Sequence, residues 1–159
     1  HIPVILLKMK AVDPETVSLE EMIKQAIEFH GHLGPFLVLG IRMGLLALKD
    51  LNSPGYEGIE ALVKTGDTPS LSCLLDGVQI STGCTMGKGN IATVPLGLAE
   101  ADFSTDEKKV TIRAREEIID EIKCWRESYA TLEEIARSIF QRSDEELFER
   151  RCMVTGRSR

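Results

Sequence analysis

Pro35-Phe36-Leu37-Val38-Leu39-Gly40-Ile41-Arg42-Met43-Gly44-Leu45-Leu46-Ala47-Leu48-Lys49-Asp50 is the stretch that decides the fold. Proline suits the first turn of a helix, where its missing N–H is not needed. Beyond it the run is apolar nearly all round, with Arg42 the lone charge before Lys49. Such a helix must be buried, either at the centre of its own chain or against a second subunit. Gly40 and Gly44 let another backbone approach closely or open room for a ligand. Each costs a helix roughly 1 kcal/mol, so packing must offset them. The longest apolar stretch, 33–41, stops at Arg42 and is too short to span a bilayer.

Upstream, Ser18-Leu19-Glu20-Glu21 reads as a capping box. It opens a helix with an apolar stripe of Met22, Ile23, Ala26 and Ile27, which Gly31 stops after His30. Downstream, Asn52-Ser53-Pro54-Gly55 is a turn. A strand is expected over 60–64 and a short helix over 70–80, with Cys73 in its first turn. Residues 81–90, with Gly83, Gly87 and Gly89, form a shaped loop. Strand-like pieces follow at 91–95, 98–103 and 110–115. The remainder reads as helical: 116–127, then helices capped by Thr131-Leu132-Glu133-Glu134 and Ser143-Asp144-Glu145-Glu146. Helices, then strands, then helices predict an α+β fold in which a small mixed or antiparallel sheet packs with helices. The chain reads as one domain over 1–159, with a core of about 18–115 and a C-terminal helical extension of about 116–159. The run 2–7 reads as a first strand or a tethered arm.

A net charge of −6 and a pI near 5.2 argue against a nucleic-acid partner. The Arg-rich end (Arg150, Arg151, Arg157, Arg159) is short, offset by glutamates, and reads as a solvated tail. No secretory leader is legible, so a reducing cytoplasm with free thiols is the expectation.

Two imidazoles in His30-Gly31-His32-Leu33-Gly34-Pro35 and two thiols in Ser72-Cys73 and Gly83-Cys84 supply the donors a zinc-like site needs. His30 and His32 are two apart and would diverge on one helix, but Gly31 breaks it between them. One of them is expected to be a ligand, with His32 favoured because it lies in the irregular segment. Cys73 has the stronger claim of the thiols, since a helix N-terminus favours thiolate. Asp76, one turn on, could orient a histidine or carry a proton, and Lys88 could steady an anion. Each has a plainer explanation. Buried Cys is a common core residue, a terminal His can simply favour the carbonyl end of its helix, and Asp76 can be a surface carboxylate. Cys124, Cys152 and Trp125 fit packing roles better than chemistry. The Gly83–Gly89 loop has three residues before Gly-Lys and no following hydroxyl residue, so it is not a Walker loop.

Together, His30-Gly31-His32-Leu33-x-Pro35 and Cys73-x-x-Asp76-x-x-Gln79-x-x-Thr82-Gly83-Cys84-Thr85-x-Gly87-Lys88-Gly89-Asn90 resemble the FmdE family. These proteins take their name from a component of formylmethanofuran dehydrogenase and occur in methanogens and other anaerobic archaea and bacteria. The likeness runs over about 18–115. It implies a fold related to the catalytic domain of glyceraldehyde-3-phosphate dehydrogenase, an intimate homodimer, and zinc or a similar metal near the His and Cys motifs. His30, His32, Cys73, Asp76, Cys84 and Lys88 fall on the family's motif. Many members carry Cys where this chain has Gly34, and several append a Cys-rich zinc ribbon that the capped C-terminal elements here do not resemble.

The resulting expectation is a cytoplasmic homodimer binding zinc, nickel or another divalent transition metal through His32, Cys73 and either Cys84 or His30. Asp76 and Lys88 would serve any catalysis. Two other expectations compete with it. One is a non-catalytic accessory that handles metal or cofactor for a molybdenum or tungsten oxidoreductase of one-carbon metabolism. The other is a thiol redox protein using Cys73 and Cys84.

Overall fold

A computed structural model describes residues 9–128 and 130–154, so the segment read as an opening strand lies outside the described residues. In chain order the elements are α1 (Leu19–His30), α2 (Pro35–Leu51), β1 (Glu60–Val63), α3 (Cys73–Thr82), β2 (Ile91–Thr93), β3 (Glu100–Ser104) and β4 (Lys108–Ala114). Then come α4 (Glu116–Lys123), a 3-10 turn (Trp125–Glu127), α5 (Leu132–Phe140), the single turn α6 (Asp144–Leu147) and β5 (Phe148–Val154). The α+β expectation holds, and the sheet is mixed.

Five strands run in the order β2-β1-β3-β4-β5. β1 and β2 are parallel, as a crossover through α3 requires, and every other pair is antiparallel. Period-2 alternation sends Ala61, Val63, Ala101, Phe103, Val110 and Ile112 to one buried face. The opposite face carries Lys64, whose ammonium sits 2.5 Å from Glu100 and 3.1 Å from Asp102.

α2 is buried within this chain, packed on α3, α5 and β4. Leu37, Leu39, Ile41, Met43 and Leu46 are essentially inaccessible, and each stabilises the fold by about 1.5–3 kcal/mol through leaving water. Arg42 is absorbed by the ending of α5. Its guanidinium donates to the carbonyls of Phe140 (2.7 Å) and Arg142 (2.5 Å) and pairs with Asp144 at 2.9 Å. Gly40 and Gly44 are packing positions. A Cβ on Gly40 would fall inside the Leu74 carbonyl, one on Gly77 inside the Leu37 carbonyl, and one on Gly44 inside the Ser81 hydroxyl. This close seam fixes where the N-terminus of α3 lies relative to α1 and α2.

The C-terminal extension is not wholly helical, which corrects the sequence expectation. The Ser143 capping box forms as read, with Ser143 accepting from the Glu146 N–H, but the helix it starts lasts one turn. Phe148 then turns extended, and β5 pairs with β4 from Ala114↔Phe148 to Lys108↔Val154. A capping box marks where a helix begins, not how far it runs. β5 lies at the sheet edge with Phe148 alone buried, so it lacks the apolar alternation by which a strand is recognised. Arg150 and Arg151 therefore belong to a paired strand and not to a loose tail. Cys124 and Cys152 are both exposed.

Candidate metal site at the α1–α2 bend

α1 ends at His30, and Gly31 takes the left-handed conformation (φ 102°) that a side chain would resist. That reversal brings His32 back against His30, with ring centroids 4.7 Å apart and planes tilted by 53°. The first residue of α2 is Pro35, so the bend is pinned between a glycine stop and a proline start.

α3 comes in beside this bend because its glycine seam lies against α2. His30 Nδ1 sits 2.5 Å from Asp76 Oδ2. A carboxylate can only accept, so Nδ1 carries the hydrogen and, in the neutral ring, Nε2 presents a lone pair. His30 Nε2 is buried and has no hydrogen-bond partner among the described residues. An orphaned buried nitrogen on a ring whose other nitrogen is held by a carboxylate is the arrangement by which proteins prepare a metal-ligating histidine. His32 is exposed, whereas His30 is the imidazole that Asp76 holds.

Cys73 is half-buried at the start of α3 and lines a cleft together with His32. Burial pushes its thiol up from the ordinary value, Asp76 adds to the rise, and a hydrogen bond from its own backbone N–H opposes it. The thiolate expected of a helix N-terminus is therefore not favoured in the metal-free chain. Ser72 is already helical, without a side-chain cap, and the Cys73 N–H also donates to the Ser70 carbonyl at 3.1 Å. The helix end is thus partly satisfied before the thiol can use it.

Cys84 and Lys88 lie elsewhere. α3 separates Cys73 from Thr82 by nine helical steps, about 14 Å of rise, before Cys84 is reached. Cys84 is wholly buried, its Sγ 3.9 Å from the Ile59 carbonyl, and burial raises its thiol against the opposing influence of Thr82 and Lys88. Lys88 binds its own loop, donating to the Gly83 carbonyl (2.5 Å) and Thr85 Oγ1 (3.3 Å) with its ammonium 5.6 Å from the Tyr56 ring centre. The structure therefore brings His30, His32 and Asp76 into contact, sets Cys73 on the same cleft as His32, and leaves Cys84 and Lys88 at the other end of α3. A Cys73–Cys84 disulfide would need Cα atoms within roughly 7 Å, and the length of α3 between them argues against that pairing within one chain.

Two supporting features were missed in the sequence. Gln79 Nε2 donates to Asp76 Oδ1 at 3.4 Å while its Oε1 accepts from the Met86 N–H at 3.2 Å. It thereby ties the carboxylate to the glycine-rich loop. Its position one turn after Asp76 was the available signal. Tyr56 has a positive φ of 67°, and its carbonyl accepts from Asn90 Nδ2 while Asn90 Oδ1 accepts from the Thr85 N–H. Nothing in the local sequence announces that conformation.

The donor types fit a borderline metal such as zinc: two imidazoles and one thiol, with a carboxylate anchored behind one of the rings. The fit is one of donor type and not of placement: among the described residues no group of three or more His, Cys, Asp or Glu is placed so that it could hold a metal ion. Gly34 belongs to the same place. A Cβ there would meet His32 Cε1 at 3.3 Å, so position 34 lies against the His32 ring.

The family model described as "FmdE, Molybdenum formylmethanofuran dehydrogenase operon" matches residues 29–152. A solved relative, an FmdE-like protein of Syntrophus aciditrophicus described by its likeness to a tungsten formylmethanofuran dehydrogenase component, is 25% identical with a TM-score of 0.68. That likeness covers 93% of this chain and 78% of that one. A probable S-adenosyl-L-methionine-binding protein of Archaeoglobus fulgidus is 40% identical over 85 residues, which is 50% of this chain. The match spans only 22% of that relative's length.

Proposed function

The chain belongs to the FmdE family, and from that membership we propose that it is a metal-binding domain serving formylmethanofuran dehydrogenase or related molybdenum or tungsten one-carbon enzymes. Zinc is the leading metal, with nickel or another divalent transition metal compatible with the same donors. One observation carries the reading: His30 Nε2 is buried without a hydrogen-bond partner among the described residues while Asp76 holds Nδ1. His30, His32 and Cys73 would be the ligands, with a further position left to water or substrate.

A metal bound there would supply Lewis acidity or an activated water. The chain's own residues do the rest. Asp76 fixes the His30 ring and its tautomer, Gln79 fixes Asp76, and Gly31 sets the angle between the two imidazoles. Cys84 and Lys88 serve the loop rather than the site.

An accessory role, handling metal for a larger oxidoreductase, is favoured over independent catalysis by one feature. The two groups expected to move protons or hold an anion, Asp76 and Lys88, are both engaged in structural contacts. Homodimer formation, a cytoplasmic setting, a place in methanogenesis and kinship with the glyceraldehyde-3-phosphate dehydrogenase fold are extensions of the family reading. No helix of the described residues is long and apolar enough to cross a membrane.

Metal analysis of the purified protein tests the proposal. Stoichiometric metal that is lost in His30→Ala and Cys73→Ser but kept in Cys84→Ser supports it. Metal-free protein that takes up none on reconstitution, with Cys73 freely alkylated in its presence, overturns it. Co-purification with a molybdenum or tungsten enzyme, without turnover by the isolated chain, supports the accessory role; turnover alone contradicts it.

A further inference from the structure

The cleft beside the His and Cys73 side chains has a volume of about 400 Å³, within the range of small-molecule sites. Its walls are Phe36 and Leu37 of α2, Ile122 of α4, Trp125 and Leu132. His32 and Cys73 stand at one side. The charged residue among its lining is Lys123, the last residue of α4; among the described residues no Asp or Glu lines it. Lys123 makes no ion pair with a described residue. It also lines a second cleft, which carries Asp67, Arg113 and Glu116.

A mostly apolar slot whose described lining carries one cation and no acid selects against cations and against strongly polar neutral molecules. We propose that this cleft binds an organic carboxylate with an aryl or alkyl body. The carboxylate pairs with Lys123, the apolar body lies among Phe36, Ile122 and Trp125, and the far end reaches His32 and Cys73. The inference rests on the proposed metal site only for what that far end meets. The pairing with Lys123 requires no metal.

Trp125 is the sole tryptophan of the sequence and lines the cleft, so its emission reports occupancy directly. The metal-free full chain is titrated with 4-phenylbutyrate and, separately, with the neutral 4-phenylbutanamide. Saturable change with the acid is expected, with the amide binding at least tenfold more weakly. Lys123→Gln should weaken the acid about tenfold or more and leave the amide unchanged, and Lys123→Arg should restore the acid. A Lys109→Gln control, on β4, should bind as the parent does. No saturable change with the acid, equal affinity for acid and amide, or a Lys123→Gln protein that keeps full affinity overturns the inference. Because the titration is done without metal, failure of the metal site leaves these outcomes intact. Failure here likewise leaves the metal analysis unaffected.

Discussion

His30 and Asp76, 46 positions apart in the chain, meet through Nδ1 and Oδ2 at 2.5 Å, and this contact organises the candidate site. The ring's other nitrogen, Nε2, is buried without a hydrogen-bond partner among the described residues. Asp76→Asn keeps the shape but replaces an accept-only carboxylate with an amide that can also donate to Nδ1, so the tautomer is no longer fixed. Metal affinity should fall by about 10–100-fold, read by competition with a chromophoric chelator, while thermal unfolding of the metal-free protein shifts little. Unchanged affinity would assign Asp76 a purely structural part.

Gly34 offers the converse test. Its φ of −133° is open to any side chain, and a Cβ there points at the His32 ring. Gly34→Cys should add a thiolate to the site and tighten zinc binding, with the new thiol protected from alkylation when metal is present. Weaker binding and an unprotected thiol would show that position 34 faces away from the metal.

The α2–α3 seam should be intolerant of bulk. Gly40→Ala and Gly77→Ala each drive a methyl into a facing backbone carbonyl, which cannot swing aside as a side chain would. Each should destabilise by about 1–3 kcal/mol in urea unfolding. Gly87→Ala, where nothing lies within 4 Å, should be close to neutral. Arg42→Met, which leaves the end of α5 and Asp144 without their donor, should cost about 2 kcal/mol.

The thiols predict a pH dependence for the metal-free protein. Cys73 and Cys84 are both raised above the ordinary thiol value of 9.0, chiefly by burial. A raised value means that the folded state holds its proton more tightly than the unfolded chain. The stabilisation is therefore complete below the ordinary value and is lost as pH rises through it towards the folded values. Urea midpoints should fall on the alkaline side of pH 9, and less steeply in Cys84→Ala measured against its own neutral-pH midpoint. Alkylation at neutral pH should label the exposed Cys124 and Cys152 first and Cys84 last.

Much of the fold was legible because its signals are local. The Ser18 cap, the Gly31 stop, the Pro35 start and the apolar run of α2 each act within a turn of their own position. β5 was not legible, since its pairing is with β4 and its outward side chains are polar. The donor types of the site were visible in the motifs, but their grouping was not. Spacing cannot reveal that ten residues of α3 hold Cys73 and Cys84 apart, nor that Asp76 meets His30 Nδ1. Gln79 was visible as part of a motif and became meaningful only once its two contacts were placed.

X-ray absorption at the zinc edge of the reconstituted protein interrogates the proposed ligand set most directly. One sulfur at about 2.3 Å and imidazole nitrogens at about 2.0–2.1 Å are predicted, with the sulfur removed by Cys73→Ser and a nitrogen removed by His30→Ala. A shell with two sulfurs, or one that survives both substitutions unchanged, would contradict a site built on the His30–Asp76 pair.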